Sequence, residues 1–235
     1  MRIDPSRCTG CRLCVQYCPA RAIFIEDKKA TIDESKCFEC ALCRRVGVCK
    51  VEAFVPAEEL PWPRSIRSIL SDPLTTFRET GVSGRGTEEM KTNDVTQRYG
   101  LGEYGLAVDV GRPNVGTSFR EIERICVALA KVGVKFEEKN PVTFLMTDAS
   151  KGTIRDDVKG EVVASAVIES KVPEGKLLEA LDALKQVARE VDTVFSVGVI
   201  SRCREDGTIP ALELLSEGGW QVSTRGKTNV GLGRA

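Results

Sequence analysis

Eight of the ten cysteines lie in the first fifty residues, and they form two similar runs. The first run is CTGCRLCVQYCP, from Cys8 to Pro19, and the second is CFECALCRRVGVCK, from Cys37 to Lys50. A shift of 29 residues superimposes the first three cysteines of the two runs. The second run then has two extra residues before its fourth cysteine, and a lysine where the first run has proline. A packed core does not need thiols at such short, regular intervals, so the runs indicate ligands for a metal or a metal cluster.

The rest of the composition limits what these thiols can do. The N-terminus MRIDPSRC has no apolar signal-peptide core, and no apolar run approaches the length of a membrane span. We therefore expect a cytoplasmic protein, where disulfides are rare. Lys plus Arg and Asp plus Glu are both 34, so neither nucleic-acid binding nor attraction to an anionic membrane is indicated. The absence of histidine excludes Cys/His zinc fingers, Rieske centres and Ser-His or Cys-His nucleophile pairs.

Two metal centres remain as alternatives, zinc and iron–sulfur. Zinc sites also use Cys-x2-Cys pairs, but usually as two pairs separated by a long spacer. Here a third cysteine follows at the same interval in both runs. Two residues between thiolates let a short turn present successive sulfurs to one small cluster, with backbone N–H groups turned toward it. We therefore favour iron–sulfur over zinc.

The first run also resembles the C-x2-C-x2-C-x3-C-P run of bacterial-type ferredoxins that hold two 4Fe–4S clusters, in which the fourth cysteine ligates the other cluster. The resemblance implies two crossed sets of ligands. What we call the first quartet consists of Cys8, Cys11, Cys14 and Cys49. What we call the second quartet consists of Cys37, Cys40, Cys43 and Cys18. The longer gap before Cys49 and the lysine after it depart from the family pattern.

This module is expected to cover residues 1–57. Between the runs, AIFIEDKKATID predicts a hairpin with a polar turn, whose isoleucines would help to shield the clusters. The proline-rich stretch PAEELPWPR marks the end of the module. Residues 58–102 are interpreted as a linker that contains a short helix in RSIRSILSDPL and a glycine-rich loop. That loop is either a flexible connection or a segment that becomes ordered on a partner or a cofactor.

Residues 103–204 show regular periodicity. Strands are predicted in GLAVDVGRP, PVTFLMTD, GEVVASAVIESKVP and DTVFSVGVISR, and amphipathic helices in GTSFREIERICVALAKVG and EGKLLEALDALKQVAREV. The order βαββαβ is that of the ferredoxin-like plait, and its topology resembles the small-molecule-sensing domains of the ACT type. We expect a fragment of about residues 102–204 to fold without iron, and Cys126 to lie in its core. The fold class is thus α+β, with residues 205–235 expected to form an extended glycine-rich tail that is either disordered or a docking arm.

Two further phrases, SGRGTEEMKTNDVT and GKTNVGLG, resemble stretches of anaerobic ferredoxin-containing reductases of the 6-hydroxynicotinate reductase kind. That resemblance implies a flavin-linked, low-potential reduction of an unsaturated ring. The sequence itself shows no recognisable flavin or nicotinamide motif.

The sequence leads us to one main functional hypothesis. We expect an electron-transfer subunit with two 4Fe–4S clusters, which passes single low-potential electrons to or from a catalytic partner in an anaerobic oxidoreductase complex. Its partners would be catalytic subunits and an electron-carrier protein in a hetero-oligomer. The sequence leaves open whether the complex also contains a flavin. The alternatives are a ferredoxin-dependent, flavin-linked reductase and a ligand-responsive redox regulator.

Overall fold

The computed structural model describes residues 1–57, 59–76, 84–87, 93–113, 115–173 and 175–223. The predictions made for the remaining residues, including the GKTNVGLG stretch and the end of the tail, lie outside this range. The fold is a mixed α/β arrangement, in which an N-terminal cysteine-rich module precedes a domain built on a four-stranded sheet. Within the part of the chain that is described, no helix has the length and apolar character that a membrane crossing requires.

The N-terminal module consists of two short pairs of strands. The outer pair joins the two ends of the module, and the inner pair is the predicted hairpin, whose turn residues Asp27 and Lys28 have φ of 46° and 63°. A two-residue hairpin turn of this kind needs positive φ at both positions. The elements are β1 Arg2–Ile3, a 3-10 helix Val15–Tyr17, β2 Ile23–Glu26, β3 Lys29–Ile32, α1 Leu42–Arg45 and β4 Phe54–Val55.

The small core of the module contains its cysteines. Cys8 and Cys14 are buried there with Ile23 and Phe54. Side chains of Cys18, Cys43 and Cys49 pack against this cluster together with Ile3, Ile25 and Ile32. The isoleucines of the hairpin therefore lie beside the thiols, as the alternation of apolar residues predicted.

The four-stranded sheet forms the C-terminal domain. Its strands follow the spatial order β12-β5-β11-β7, and every neighbouring pair is antiparallel. Two long helices contact each other and bury their apolar faces in the same core as β5. The elements are β5 Tyr104–Val110, β6 Thr117–Ser118, α4 Phe119–Val132, β7 Lys135–Phe136, α5 Pro141–Phe144, β8 Met146–Asp148, β9 Thr153–Ile154, β10 Val162–Val163, β11 Ala166–Val172, α6 Leu177–Val187, β12 Phe195–Ser201 and α7 Pro210–Glu217, preceded by α2 Ser65–Ser71 and α3 Asn93–Thr96.

The ends of α4 follow the sequence signals. The Ser118 side chain accepts a hydrogen bond from the backbone N–H of Glu121, which is an N-cap. Gly133 ends the helix with φ of 90°, a left-handed conformation that glycine adopts without strain. Both residues lie near the ends of GTSFREIERICVALAKVG, the stretch in which the sequence predicts this helix.

Two predicted strands of this domain differ from the structure. Residues 141–148 do not form one strand, because Asn140 accepts a hydrogen bond from the Val142 N–H and Pro141 begins α5. The end of that stretch, β8, pairs with β9 outside the main sheet. The stretch GEVVASAVIESKVP is divided into β10, which pairs with β6, and β11, which enters the sheet.

Two segments outside residues 103–204 also contribute to the core of this domain. The short helix predicted in the linker is present as α2, and its Ile66 and Leu70 are 0% and 1% exposed in that core. In the segment expected to be an extended tail, residues 210–217 form α7, which buries Ala211 and Leu215. The prediction of an extended conformation is therefore wrong for α7. Its buried residues Ala211 and Leu215 lie four positions apart, which is the spacing of one face of a helix.

Candidate metal-cluster centre

The backbone of the two cysteine loops has the same unusual shape. Gly10 and Arg12 have φ of 71° and 64°, and the equivalent residues of the second run, Glu39 and Ala41, have φ of 54° and 53°. Left-handed residues that alternate with ordinary ones turn successive N–H groups to one side and create a concavity that binds anions. A Cβ atom on Gly10 would lie 2.0 Å from the Lys28 carbonyl oxygen, so this position requires glycine. Three non-glycine residues hold the strained conformation at the other positions, which a built anion site would explain.

Backbone N–H groups point at four of the thiols. The N–H groups of Ala22 and Ala53 donate to the Sγ atoms of Cys18 and Cys49, at 3.2 and 3.3 Å. These two contacts are equivalent in the repeat. The Sγ atoms of Cys8 and Cys37 accept from the N–H groups of Ala30 and Glu39, both at 3.4 Å. Such donors stabilise a thiolate, the form of cysteine that binds metal.

The two runs are tied to each other at their ends. The N–H of Asp4 donates to the carbonyl of Ala53, and the N–H of Asp33 donates to the carbonyl of Ala22, both at 2.8 Å. Each bond links the start of one run to the residues just after the fourth cysteine of the other. The fourth thiol of each run is thereby carried to the first three thiols of the other run.

The electrostatics of the thiols shows the same grouping. Burial raises the pKa of the Cys14 thiol, and the nearby thiols of Cys11, Cys8 and Cys49 raise it further. Burial raises the pKa of the Cys43 thiol to about 12, with added contributions from the thiols of its own group. Those contributing thiols are Cys40, Cys37 and Cys18. Cys14 thus lies near the other three thiols of the first quartet, and Cys43 near the other three of the second. That these eight thiols ligate two clusters stays a prediction.

All four thiols of the second quartet line one small cavity, and its other walls are apolar. Among the described residues there is no group of three or more Cys, Asp or Glu side chains close enough to hold a single metal ion. Sulfur donors, N–H groups aimed at them and an apolar wall suit an iron–sulfur cluster. The apolar walls are formed by Met1, Pro19, Ala20, Ala22, Ile23, Ile32, Phe38 and Ala41.

The loop of the second quartet is covered by the C-terminal domain. Phe38 lies between Cys37 and Glu39 and is only 6% exposed. A Cβ atom on Gly116, at the end of the turn that follows β5, would lie 2.3 Å from the Phe38 ring. Gly116 also has φ of 75°, so only glycine suits both the conformation and the close approach. The aromatic ring therefore joins the cysteine loop directly to the sheet domain.

Arg67 of α2 provides the polar part of the same junction. Its guanidinium donates to the carbonyls of Glu34, Ser35 and Cys37 at 3.0, 3.1 and 2.8 Å. The same group forms an ion pair with Glu161, and Arg67 is 6% exposed. Sequence reasoning missed this residue, because the groups that Arg67 contacts lie 30 or more residues away in the chain.

Three more ion pairs surround the junction. Arg64 donates to the Glu39 carboxylate at 2.6 Å, and the N-terminal ammonium of Met1 pairs with the same carboxylate. Arg45 of α1 pairs with Asp72, beyond the end of α2, at 2.7 Å. The loop of the second quartet thus lies against a network of ion pairs that extends into the C-terminal domain.

A separate buried polar cluster holds part of the glycine-rich loop. Glu169 of β11 is 2% exposed, and its carboxylate accepts from the Thr87 N–H at 2.8 Å and the Asn140 amide at 2.6 Å. The Val167 N–H donates to the Arg85 carbonyl at 3.0 Å. Burial raises the pKa of the Glu169 carboxyl. Residues 84–87 therefore lie beside β11. Whether the glycine-rich loop is a flexible connection or becomes ordered on a partner or a cofactor stays a prediction.

The two remaining cysteines belong to the C-terminal domain and are not among the predicted cluster ligands. Cys126 is completely buried in α4, as the helical periodicity predicted, and burial raises the pKa of its thiol. Cys203 is exposed after β12.

Comparison with known proteins supports the iron–sulfur interpretation. Residues 1–24 match the family described as 4Fe-4S binding domain. The N-terminus thus carries a 4Fe–4S binding motif. Over 55 residues the chain is 40% identical to indolepyruvate oxidoreductase subunit IorA of Thermococcus kodakarensis. The aligned stretch covers 23% of this chain and 8% of that relative, so the chain corresponds to a small part of its length. No solved structure matches the chain.

Proposed function

We propose that this protein is an iron–sulfur electron-transfer subunit that passes single low-potential electrons to or from a catalytic partner in an anaerobic oxidoreductase complex. The proposal is supported by the proximity of Cys14 and of Cys43 to the other thiols of their predicted quartets, and by backbone N–H groups directed at sulfur in both quartets. Each quartet supplies the four thiolates that one 4Fe–4S cluster requires. The similarity to a named oxidoreductase subunit adds support for a role within a larger complex.

In this proposal, all eight cysteines are ligands. Cys8, Cys11, Cys14 and Cys49 hold one cluster, and Cys37, Cys40, Cys43 and Cys18 hold the other. The clusters supply reversible one-electron chemistry, and the chain supplies thiolates, N–H donors and an apolar surround. The ligands, the hydrogen bonds to sulfur and the polarity of the surroundings together set the reduction potential of a bound cluster.

We also infer that residues 103–204 form a βαββαβ plait of the ferredoxin-like kind, which docks the partner. The spatial order of the four antiparallel strands and the two packed helices support this topology. One of the two outer strands of the sheet, β12, contains no charged residue, and its Val197 is 38% exposed. Natural proteins usually protect such an edge, so an uncharged edge is suited to pairing with another chain. A flavin, if the complex uses one, is assigned to the partner.

The experiment is anaerobic purification followed by iron, sulfide, zinc and flavin analysis of the same sample. We expect about eight irons and eight sulfides per chain, with paramagnetic resonance signals from two clusters after reduction. Zinc in place of iron would overturn the proposal. Flavin bound stoichiometrically to the isolated chain would instead favour the reductase alternative. Identifying proteins that co-purify from the native host would then name the catalytic partner.

A further inference from the structure

The two quartets differ in their access to solvent. Cys11 of the first quartet is exposed, whereas the other seven cysteines of the quartets are buried or partly buried. The second quartet lies under Phe38 and Arg67 at the junction with the C-terminal domain. Since electron transfer between proteins needs close approach to the cluster, the side of the first quartet is the accessible one.

The residues beside Cys11 combine apolar and basic side chains. Arg12 is exposed, and Leu13 is 47% exposed. Lys50 and Val51 follow Cys49, a thiol of the same quartet, and Val51 is 38% exposed. Arg7, Arg12, Leu13, Lys50 and Val51 are exposed and directly neighbour Cys8, Cys11, Cys14 or Cys49 of the first quartet in the chain, or lie one residue further on. We call the surface that these five residues form the basic rim.

The charge on the basic rim is not neutralised locally. In the described parts of the chain, Arg12 and Lys50 have no ion-pair partner. Arg7 faces Glu52 at 3.7 Å, but the Glu52 side chain is 87% exposed, so this pair is weak. The chain as a whole has zero formal net charge, so the positive charge here is a local feature.

We propose that the basic rim is the docking site for an acidic one-electron carrier protein. This inference rests on the proposed function and specifies where its electrons enter or leave. Opposite charges would steer the carrier to the rim, while the exposed apolar side chains of Leu13 and Val51 supply a small dry contact beside thiols of the first quartet. Redox encounters between proteins commonly use small interfaces of this type. In the forward direction one electron leaves the reduced carrier and reduces the cluster of the first quartet, with no bond made or broken.

The test is anaerobic stopped-flow mixing of the oxidised holoprotein with a reduced acidic bacterial ferredoxin. Arg12→Glu/Lys50→Glu should lower the second-order rate constant by about tenfold or more at low salt, because the electrostatic steering is reversed. The wild-type rate should fall as salt is added, since exposed charges are screened. Arg120→Glu is the matched control, because Arg120 is exposed on α4, has no ion-pair partner within the described residues, and should leave the rate within about twofold.

A small reductant, photoreduced deazaflavin, separates the possible failures. It should reduce wild type and all variants at the same rate, and Arg12→Lys/Lys50→Arg should retain the ferredoxin rate. If deazaflavin cannot reduce the wild-type clusters, the proposed electron-transfer function itself fails. The docking site is wrong if deazaflavin reduces every protein alike but ferredoxin reduces the charge-reversed variant as fast as wild type. It is also wrong if ferredoxin reduces neither wild type nor that variant. Altered resonance signals in the charge-reversed variant would show damage to the cluster, and neutral Arg12→Gln/Lys50→Gln would then decide by its salt dependence.

Discussion

Arg67 is the residue whose removal should most weaken the junction between the second quartet and the C-terminal domain. Methionine at this position keeps an unbranched apolar stem in the buried space but removes the guanidinium. Glu161, whose side chain is only 15% exposed, would then lose its charged partner, and three carbonyls of residues 34–37 would lose their donor. Breaking a buried ion pair by removing one partner costs about 3–5 kcal/mol.

The predicted loss can be read as a change in melting temperature of the anaerobic holoprotein. For a chain of this size about 1 kcal/mol corresponds to about 2–4 °C, so Arg67→Met should melt roughly 6–20 °C below wild type. The control is Arg124→Met, because Arg124 pairs with Glu121 at 3.3 Å and its side chain is 50% exposed. An exposed pair of this kind contributes at most about 1 kcal/mol.

A second variant tests the mechanism rather than the size of the effect. Arg67→Met/Glu161→Met removes the unpaired buried carboxylate and should recover part of the lost stability. Since the released carbonyls flank Cys37, the resonance signal of the second quartet should also broaden or shift while that of the first is retained. A melting temperature of Arg67→Met equal to that of the Arg124→Met control would refute the reasoning.

Three other predictions follow from the thiols and from the buried carboxyl. Cys18→Ser should abolish the resonance signal of the second quartet and spare that of the first; loss of the first signal alone would contradict the crossed assignment. Glu169→Gln should raise the unfolding free energy at neutral pH. Burial raises the pKa of Glu169 in the folded chain, so the folded state of wild type binds the proton more tightly and wild-type stability falls as pH rises above about 4.5; denaturant titrations in which both proteins lose stability equally over that range would exclude this. Iodoacetamide should alkylate Cys203 but not Cys126 in the native holoprotein, which peptide mass analysis can check.

Features encoded by short sequence spacing were predictable. The cysteine runs, the hairpin between them and the two long helices depend on residues a few positions apart, and the periodic positions of α4 and α6 are indeed buried. Cys126 could be assigned to a core for the same reason. The crossed assignment of the thiols depends on the family resemblance, and the hydrogen bonds between the ends of the two runs support it.

Features that depend on distant contacts were not predictable. Arg67 reads as an ordinary surface residue until the carbonyls of residues 34–37 and the Glu161 carboxylate are brought around it. In the sequence, Phe38 is simply one of two residues between Cys37 and Cys40. Its role as a packing contact depends on Gly116, which is distant in the chain. The stretch at 141–148 has the apolar content of a strand, but the local cap at Asn140 and the proline after it favour a helix.

The core of the C-terminal domain gives a last prediction, about where that domain ends. The sequence suggested that residues 102–204 would fold alone, but Ile66 and Leu70 of α2 and Leu215 of α7 are 0%, 1% and 7% exposed in the same core. Burying a side chain of this size contributes about 1.5–3 kcal/mol, so removing the three forfeits about 5–9 kcal/mol.

That loss is comparable with the whole stability of a typical domain, about 5–15 kcal/mol. A fragment of residues 60–223 should therefore melt cooperatively without iron, whereas residues 102–204 should show little protection of the β5 amides from hydrogen exchange. Adding Ile66→Ala and Leu70→Ala to the longer fragment should reproduce most of the deficit, because each leaves a cavity that costs about 2–5 kcal/mol. Equal protection of the β5 amides in the two fragments would mean that residues 102–204 form a stable core without α2 and α7. The domain boundaries would then be those predicted from the sequence.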